Sequence, residues 1–250
     1  MRRMISLPVM ASLTLLALPA VGQDDGGNVV RIDCVDVQPG AQARFEDGVK
    51  KHMDWHRKQK DTWGWAVWTV LTGPQTGRFC AGTFGHKWED FDKPAVSMEA
   101  DDADVQVNIA PFISSHEATF WALLPDLSRP RTEQAPMSSV LFHQIRAGMG
   151  DEFRSVVKAY KTAIEKADMP WRWEWYVLAN GGEGGRYALV LPRASFATFG
   201  PSGKTLDEVL DEAYGKTAAD ALRARWTEAV ASTETSLIQG RPDLSYMPNP

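Results

Sequence analysis

The chain lacks most features that would tie it to a membrane or to nucleic acid. Its N-terminal apolar stretch, Ile5 to Leu18, is shorter than the roughly 20 residues of a spanning helix and is broken by Pro8. No cysteine follows that stretch closely enough to accept a lipid. Arg2 and Arg3 precede it, and small residues at cleavage-site spacing (Ala20-Val21-Gly22) follow it, so residues 1–22 read as an export signal cut near Gly22. The expected destination is the periplasm or the outside of the cell, with no membrane anchor after cleavage. Acidic residues outnumber basic ones, 32 to 27: the formal net charge is −5, and losing Arg2 and Arg3 takes it to −7. An acidic body without a basic stripe excludes nucleic acid and anionic membrane surfaces as partners. Only two cysteines occur, Cys34 and Cys80. In an exported protein they are a disulfide candidate, and two buried free thiols are the equal alternative. No catalytic motif of high specificity is present. The glycine-rich turn from Asn180 to Gly185 follows a strand but leads into another strand, so no helix N-terminus is there to hold a phosphate.

What is present is an internal repeat. An offset of 108 carries Phe45 to Phe153, Trp63 to Trp171, Trp65 to Trp173, Gly73 to Gly181 and Arg78 to Arg186. Further on an offset of 117 carries Glu117 to Glu234 and Pro125-Asp126-Leu127-Ser128 to Pro242-Asp243-Leu244-Ser245, so the second copy has gained nine residues. Two copies are too few for a solenoid, so each should be a small domain packed on the other. The expected organisation is a signal peptide (1–22), a flexible N-terminus (23–28), repeat 1 (29–127), a Pro- and charge-rich linker (128–137), repeat 2 (138–246) and a tail (247–250).

Periodicity gives each copy the order β-α-β-β-α-β. In the first, Val29 to Val37 reads as a strand, and Phe45, Val49, Met53 and His56 fall at helical spacing after the Pro39-Gly40 break. Trp63 to Leu71 and Arg78 to Phe84 read as a hairpin. Val105, Ile109, Phe112 and Ile113 then mark a second helix, before a last strand around Thr119 to Leu124. The second copy repeats this through a last strand near Thr235 to Gln239, with its extra residues forming a helix whose capping box is Thr205-Leu206-Asp207-Glu208. Glu117 and Glu234, kept in both copies, read as helix-end or turn residues. Such an α+β unit is the split βαβ, ferredoxin-like motif, with both helices on one sheet face. Its other face is apolar here and needs a second sheet, which the other copy can supply.

The opening Val37-Gln38-Pro39-Gly40 … Phe45, the Trp63-Gly64-Trp65 strand and Trp88-Glu89-Asp90-Phe91 resemble the dimeric α/β-barrel superfamily. That resemblance implies two ferredoxin-like units joined sheet to sheet into one intrachain barrel. It also implies a function among cofactor-independent monooxygenases, isomerases, haem proteins such as chlorite dismutases, or members without a reaction.

Polar asymmetry between the copies points to a site. His52 maps to Tyr160, His56 to Ile164 and His86 to Ala194, so these imidazoles belong to copy one alone. His52 and His56 lie four apart on the helix face that carries Phe45 and Val49. The third strand ends where that helix ends, so His86 is expected beside them as a proton-transfer group or a third metal ligand. The alternative is that all three are hydrogen-bonded scaffold. Trp63 and Trp65, with Trp171, Trp173 and Trp175, share one strand face, while Trp68 and Tyr176 take the other. They form either a stacking wall or, as repetition in both copies favours, packing of the layer between the sheets.

The favoured function is binding of a small apolar or aromatic ligand in a helix–sheet pocket of repeat 1. Its expected lining is Trp65, Trp68, His86, Tyr160 and Trp173, with His52 and His56 as candidate catalytic bases. No cofactor is favoured, and a catalytic version would be an oxygenase or isomerase. The rivals are a haem or divalent-metal protein using the same histidines, and a non-catalytic interaction module whose pocket is filled by its own tryptophans. Monomer and homo-oligomer both stay open.

Overall fold

A computed structural model describes residues 27–131, 135–200 and 203–248. The expected signal peptide, most of the expected N-terminal stretch and the last two residues lie outside them.

Eight antiparallel strands close into a barrel: β1 Val29–Val37, β2 Ala66–Thr72, β3 Phe79–His86, β4 Ile113–Leu123, β5 Met137–Ile145, β6 Glu174–Asn180, β7 Arg186–Arg193 and β8 Val230–Gly240, in the order β1-β3-β2-β8-β5-β7-β6-β4. Among the described residues five helices cover the outside: α1 Gln42–Gln59, α2 Met98–Asn108, α3 Gly150–Lys166, α4 Leu206–Tyr214 and α5 Lys216–Ala229. Both halves run their strands in the order last-first-third-second. Their ladders also share one register: Cys34 faces Cys80 and Phe142 faces Ala188, while Val67 faces Ala81 and Trp175 faces Leu189. The seams match too, Trp68 opposite Gly240 and Tyr176 opposite Leu123.

Alternation along the strands divides the core into three layers. Even-numbered residues of β1 and their partners (Val30, Trp68, Val70, Cys80, Trp121, Val140, Tyr176, Ile238) fill the barrel interior. Cys34 and Cys80 are bonded there as a disulfide between adjacent strands, with Cα atoms 4.0 Å apart. Odd-numbered residues face outward under the helices. Phe45, Val49 and Met53 of α1 lie on Val67 and Phe79 in the first half. Phe153 and Val157 of α3 lie on Trp173, Trp175 and Tyr187 in the second. Trp65, Trp173 and Trp175 therefore sit beneath helices, and the layer between the sheets is built from the opposite parity, led by Trp68 and Tyr176. This corrects the expected place of the tryptophan stripe.

Each half's exit segment clasps the other half. Leu127 and Leu244 are completely buried. The Ser128 hydroxyl accepts from the Trp175 amide and the Ser245 hydroxyl from the Val67 amide, both at 2.8 Å. Isolated bridges follow at Arg129–Trp173 and Trp65–Tyr246. The start of the expected linker is thus packed structure.

Several element boundaries differ from expectation, among them the starts of β2 and β6, at Ala66 and Glu174 rather than Trp63 and Trp171. The second helix stops at Asn108, because Pro111 has no amide to donate and holds a single 3-10 turn at Ala110–Phe112, after which Ile113 opens β4. The last strands are 11 residues each, since the exposed polar run Ser115 to Glu117 pairs with β1 despite its composition, with an irregularity at Ser114. Glu117 and Glu234 consequently lie inside β4 and β8 rather than at helix ends or turns. Glu117 accepts from Arg78 at 2.8 Å across the barrel end.

Candidate functional site

The two halves treat the space beneath their helices differently. In the second half α5 presses Trp226 onto the sheet while Val209 and Leu210 of α4 pack with α3 and α5, and Trp226 stacks with Tyr160 and meets Phe153 and Trp175. In the first half α2 contributes no fully buried residue and stands off the sheet. Its last turn is pinned to α1 at Gly48, where a Cβ would come within 1.8 Å of the Asn108 carbonyl oxygen; the matching residue in α3 is Val156. Between α1, α2 and the outer face of β1–β3 lies a cavity of about 540 Å³. Val35, Phe45, Val49, Val67, Phe79 and Ile109 give it apolar walls. The same ladder and helix positions in the second half carry His143, Phe153, Val157, Trp175, Tyr187 and Trp226. Valine against tryptophan, and isoleucine against tryptophan, is enough to explain an open layer beside a filled one.

One wall of the cavity is polar. The Nδ1 of His52 donates to Asp104 at 2.9 Å, and the Nδ1 of His56 donates to Asp61 at 2.8 Å. With both Nδ1 atoms so engaged, the Nε2 atoms turn toward each other, 3.2 Å apart. Asp101 Oδ1 lies 3.4 Å from the first and 3.5 Å from the second. That oxygen is buried and accepts no hydrogen bond. His52 and Asp101 line the cavity, whereas His56 stands behind them, 1% exposed, against Trp65 and Tyr246. Burial pulls the His52 imidazole below its ordinary pKa, against the pull of Asp104, and burial raises the Asp101 carboxyl. For Asp61 burial works in the same upward direction, but the bonds from His56 and the Trp63 amide outweigh it and hold the carboxyl low. At the opposite rim Asp33 takes Arg31 and His116, each at 2.9 Å.

Of the residues expected at the site, His52, His56 and Trp65 come together here. His86 does not join them. It bonds Thr83 at 2.5 Å, packs on Trp63 and Phe91, and is shifted below its ordinary pKa by burial. Asp101 takes the place expected for it: at Gly85 (φ +79) the β1–β3 register shifts by a bulge, and His86 pairs with Val29 and bonds Thr83 instead. Trp68 lies inside the barrel, and Tyr160 and Trp173 belong to the second half's filled layer. The barrel interior holds a smaller space of about 140 Å³ beside Trp68, Trp121 and Tyr176, with Glu174 accepting from the Tyr176 hydroxyl at 3.1 Å.

His52, His56 and Asp101 offer three ligand atoms within 4.8 Å of one another. That set suits a small ion. The His52 Nε2 faces His56 and Asp101 rather than the open cavity, a direction that suits an ion held between the three better than a porphyrin iron.

No family model matches the sequence, and no curated protein matches it. Solved structures do. A candidate monooxygenase from Lactobacillus acidophilus superposes with a TM-score of 0.54 at 9% identity, over 88% of this chain and 96% of the other. An anthrone oxidase-like protein gives 0.52 at 14% identity, over 87% and 92%. A mutant chlorite dismutase from Candidatus Nitrospira defluvii gives 0.51 at 7% identity, over 86% and 92%. The fold is that of the dimeric α/β barrels. At these identities the likeness shows the fold alone, and this chain reaches it with eight strands in a single polypeptide. Among the described residues no helix is long and apolar enough to cross a membrane.

Proposed function

We propose that this is an exported protein made of two copies of one split βαβ unit, whose first copy binds a small apolar or aromatic molecule between α1, α2 and the sheet. One observation carries the ligand: the first half keeps a cavity of about 540 Å³ where the second half places Trp175 and Trp226. The volume falls in the range of ligand pockets, about 300–1,000 Å³, and apolar walls with a few convergent polar groups at one end are their usual make-up. The interaction module filled by its own tryptophans describes the second half and not the first. Equal ladder registers at offsets of 108 and 117 support the duplication. The N-terminal pattern together with a disulfide supports a periplasmic or secreted location. If the bound molecule reacts, the class we propose is an oxygenase or isomerase, with His52 at the cavity wall as the group placed to handle a proton. The monooxygenase and anthrone oxidase-like names of two structural neighbours support that class as fold analogy only.

The test is calorimetric titration with 1-naphthol as an aromatic probe. Wild type is expected to bind one equivalent, and Ile109→Trp, which imports the second half's residue, to bind none while keeping its fold. Binding of equal strength in the filled variant, or none in wild type, would sink the proposal.

A further inference from the structure

We infer that His52 Nε2, His56 Nε2 and Asp101 Oδ1 form a binding site for one divalent transition-metal ion in the cavity wall. Asp104 and Asp61 would act as the outer carboxylates that orient the two imidazoles.

The electrostatics as they stand are unbalanced. Each imidazole gives its Nδ1 proton to a carboxylate, so a neutral ring presents a bare lone pair at Nε2. Two such lone pairs and a buried carboxylate oxygen with no donor converge at the cavity wall. Three acceptors facing one another repel unless a cation lies between them, and an unpartnered buried polar atom costs roughly 1–3 kcal/mol. The spacing fits an ion. Zinc at about 2.0–2.1 Å from tetrahedral ligands holds those ligands about 3.3 Å apart, and the three separations here are 3.2, 3.4 and 3.5 Å. The outer shell fits as well, since metal-bound histidine normally donates its other N–H to a carboxylate, and here both do. Two nitrogens and one oxygen select Zn²⁺, Fe²⁺ or Co²⁺ over Ca²⁺ and Mg²⁺, which want oxygen alone. Such an open two-histidine, one-carboxylate set leaves coordination positions for water or a ligand. The second half has no equivalent, with Tyr160 and Ile164 at the histidine positions.

What the ion would act on rests on the cavity proposed above: His52 and Asp101 line it, so an ion they hold borders whatever molecule enters. There it would serve as a Lewis acid toward an oxygen of that molecule, taking the place of His52 as proton acceptor because the ion would occupy its Nε2 lone pair.

The experiment uses the full chain stripped with EDTA and titrated with Co²⁺ alone, read by visible ligand-field absorption and by calorimetry. Wild type is expected to take up one equivalent with a saturable band. Asp101→Asn should lose the band, and its fold should survive because α2 has no fully buried residue; circular dichroism checks this. Asp104→Asn should bind about 10- to 100-fold more weakly, as outer-shell losses do. Absence of saturable uptake by folded wild type, or an unchanged band in Asp101→Asn, overturns the site. A 1-naphthol titration of the same samples separates the two proposals: naphthol without cobalt leaves the cavity and removes the metal, and cobalt without naphthol does the reverse.

Discussion

Val67 and Trp175 hold the same ladder position in the two halves, one facing Ala81 and the other Leu189 across a hairpin of identical register. The indole of Trp175 fills the second half's layer and is 4% exposed, in contact with Phe153, His143 and Trp226. Val67 leaves the matching volume open.

Exchanging these residues should therefore have opposite consequences. Trp175→Val removes a large buried ring from a layer that cannot collapse, and should lower stability by about 3–5 kcal/mol. Val67→Trp adds bulk where space exists and should change stability by less than about 1.5 kcal/mol. Urea unfolding of the two variants checks this; a comparable loss in both would mean that the first half's cavity is not available to a side chain.

Much of this was legible in the sequence, for physical reasons that can be named. Phe45/Phe153 and Trp65/Trp173 repeat because both halves must solve the same helix-on-sheet packing, and alternation along β1 and β2 sorts the residues into two faces but does not say which face is the barrel interior, which is why the tryptophan stripe was expected between the sheets. Two kinds of feature were hidden. β4 and β8 open with exposed Ser, His, Thr and Glu held by backbone pairing and polar side-chain bonds, so no apolar period marks them. Asp101 and Asp104 lie in an acidic helix with no buried stripe, so no apolar face in Met98–Asn108 marks which carboxylates turn inward. Their spacing of three, shared with Val105 and Asn108 on one helical face, was the available signal. His86 was misplaced because proximity of strand ends fixes a neighbourhood, and a side chain's direction depends on the backbone after it.

The disulfide makes a separate prediction. Cys34 and Cys80 are 46 residues apart in sequence, and closing a loop of that size in the unfolded chain corresponds to roughly 4 kcal/mol of stability by chain entropy. Replacing both by alanine should lower the free energy of unfolding by about 2–4 kcal/mol, and dithiothreitol should lower that of wild type by a similar amount without affecting the variant. Two reactive thiols in unfolded, unreduced protein from an oxidising compartment would contradict the bond.

His143 supplies a pH dependence independent of the cavity. It projects from β5 into the second half's filled layer, 3% exposed, among Phe153, Trp175 and Trp226, with Nδ1 on the Thr233 hydroxyl at 2.8 Å and Nε2 without a partner. Burial alone lowers its pKa to about 4, from an ordinary value near 6.5. The folded protein thus refuses a proton that the unfolded chain accepts throughout that interval. Stability from the neutral ring is fully present above about pH 6.5 and is lost as pH falls toward 4, with a slope of up to about 1.4 kcal/mol per pH unit. Between pH 7 and pH 5 the loss should be about 2 kcal/mol. His143→Gln keeps a polar group in reach of Thr233 and removes the titration, so its unfolding free energy should fall by about 2 kcal/mol less over the same range. Urea midpoints at the two pH values decide the matter: parallel pH profiles for wild type and variant would show that His143 is not held neutral in the fold.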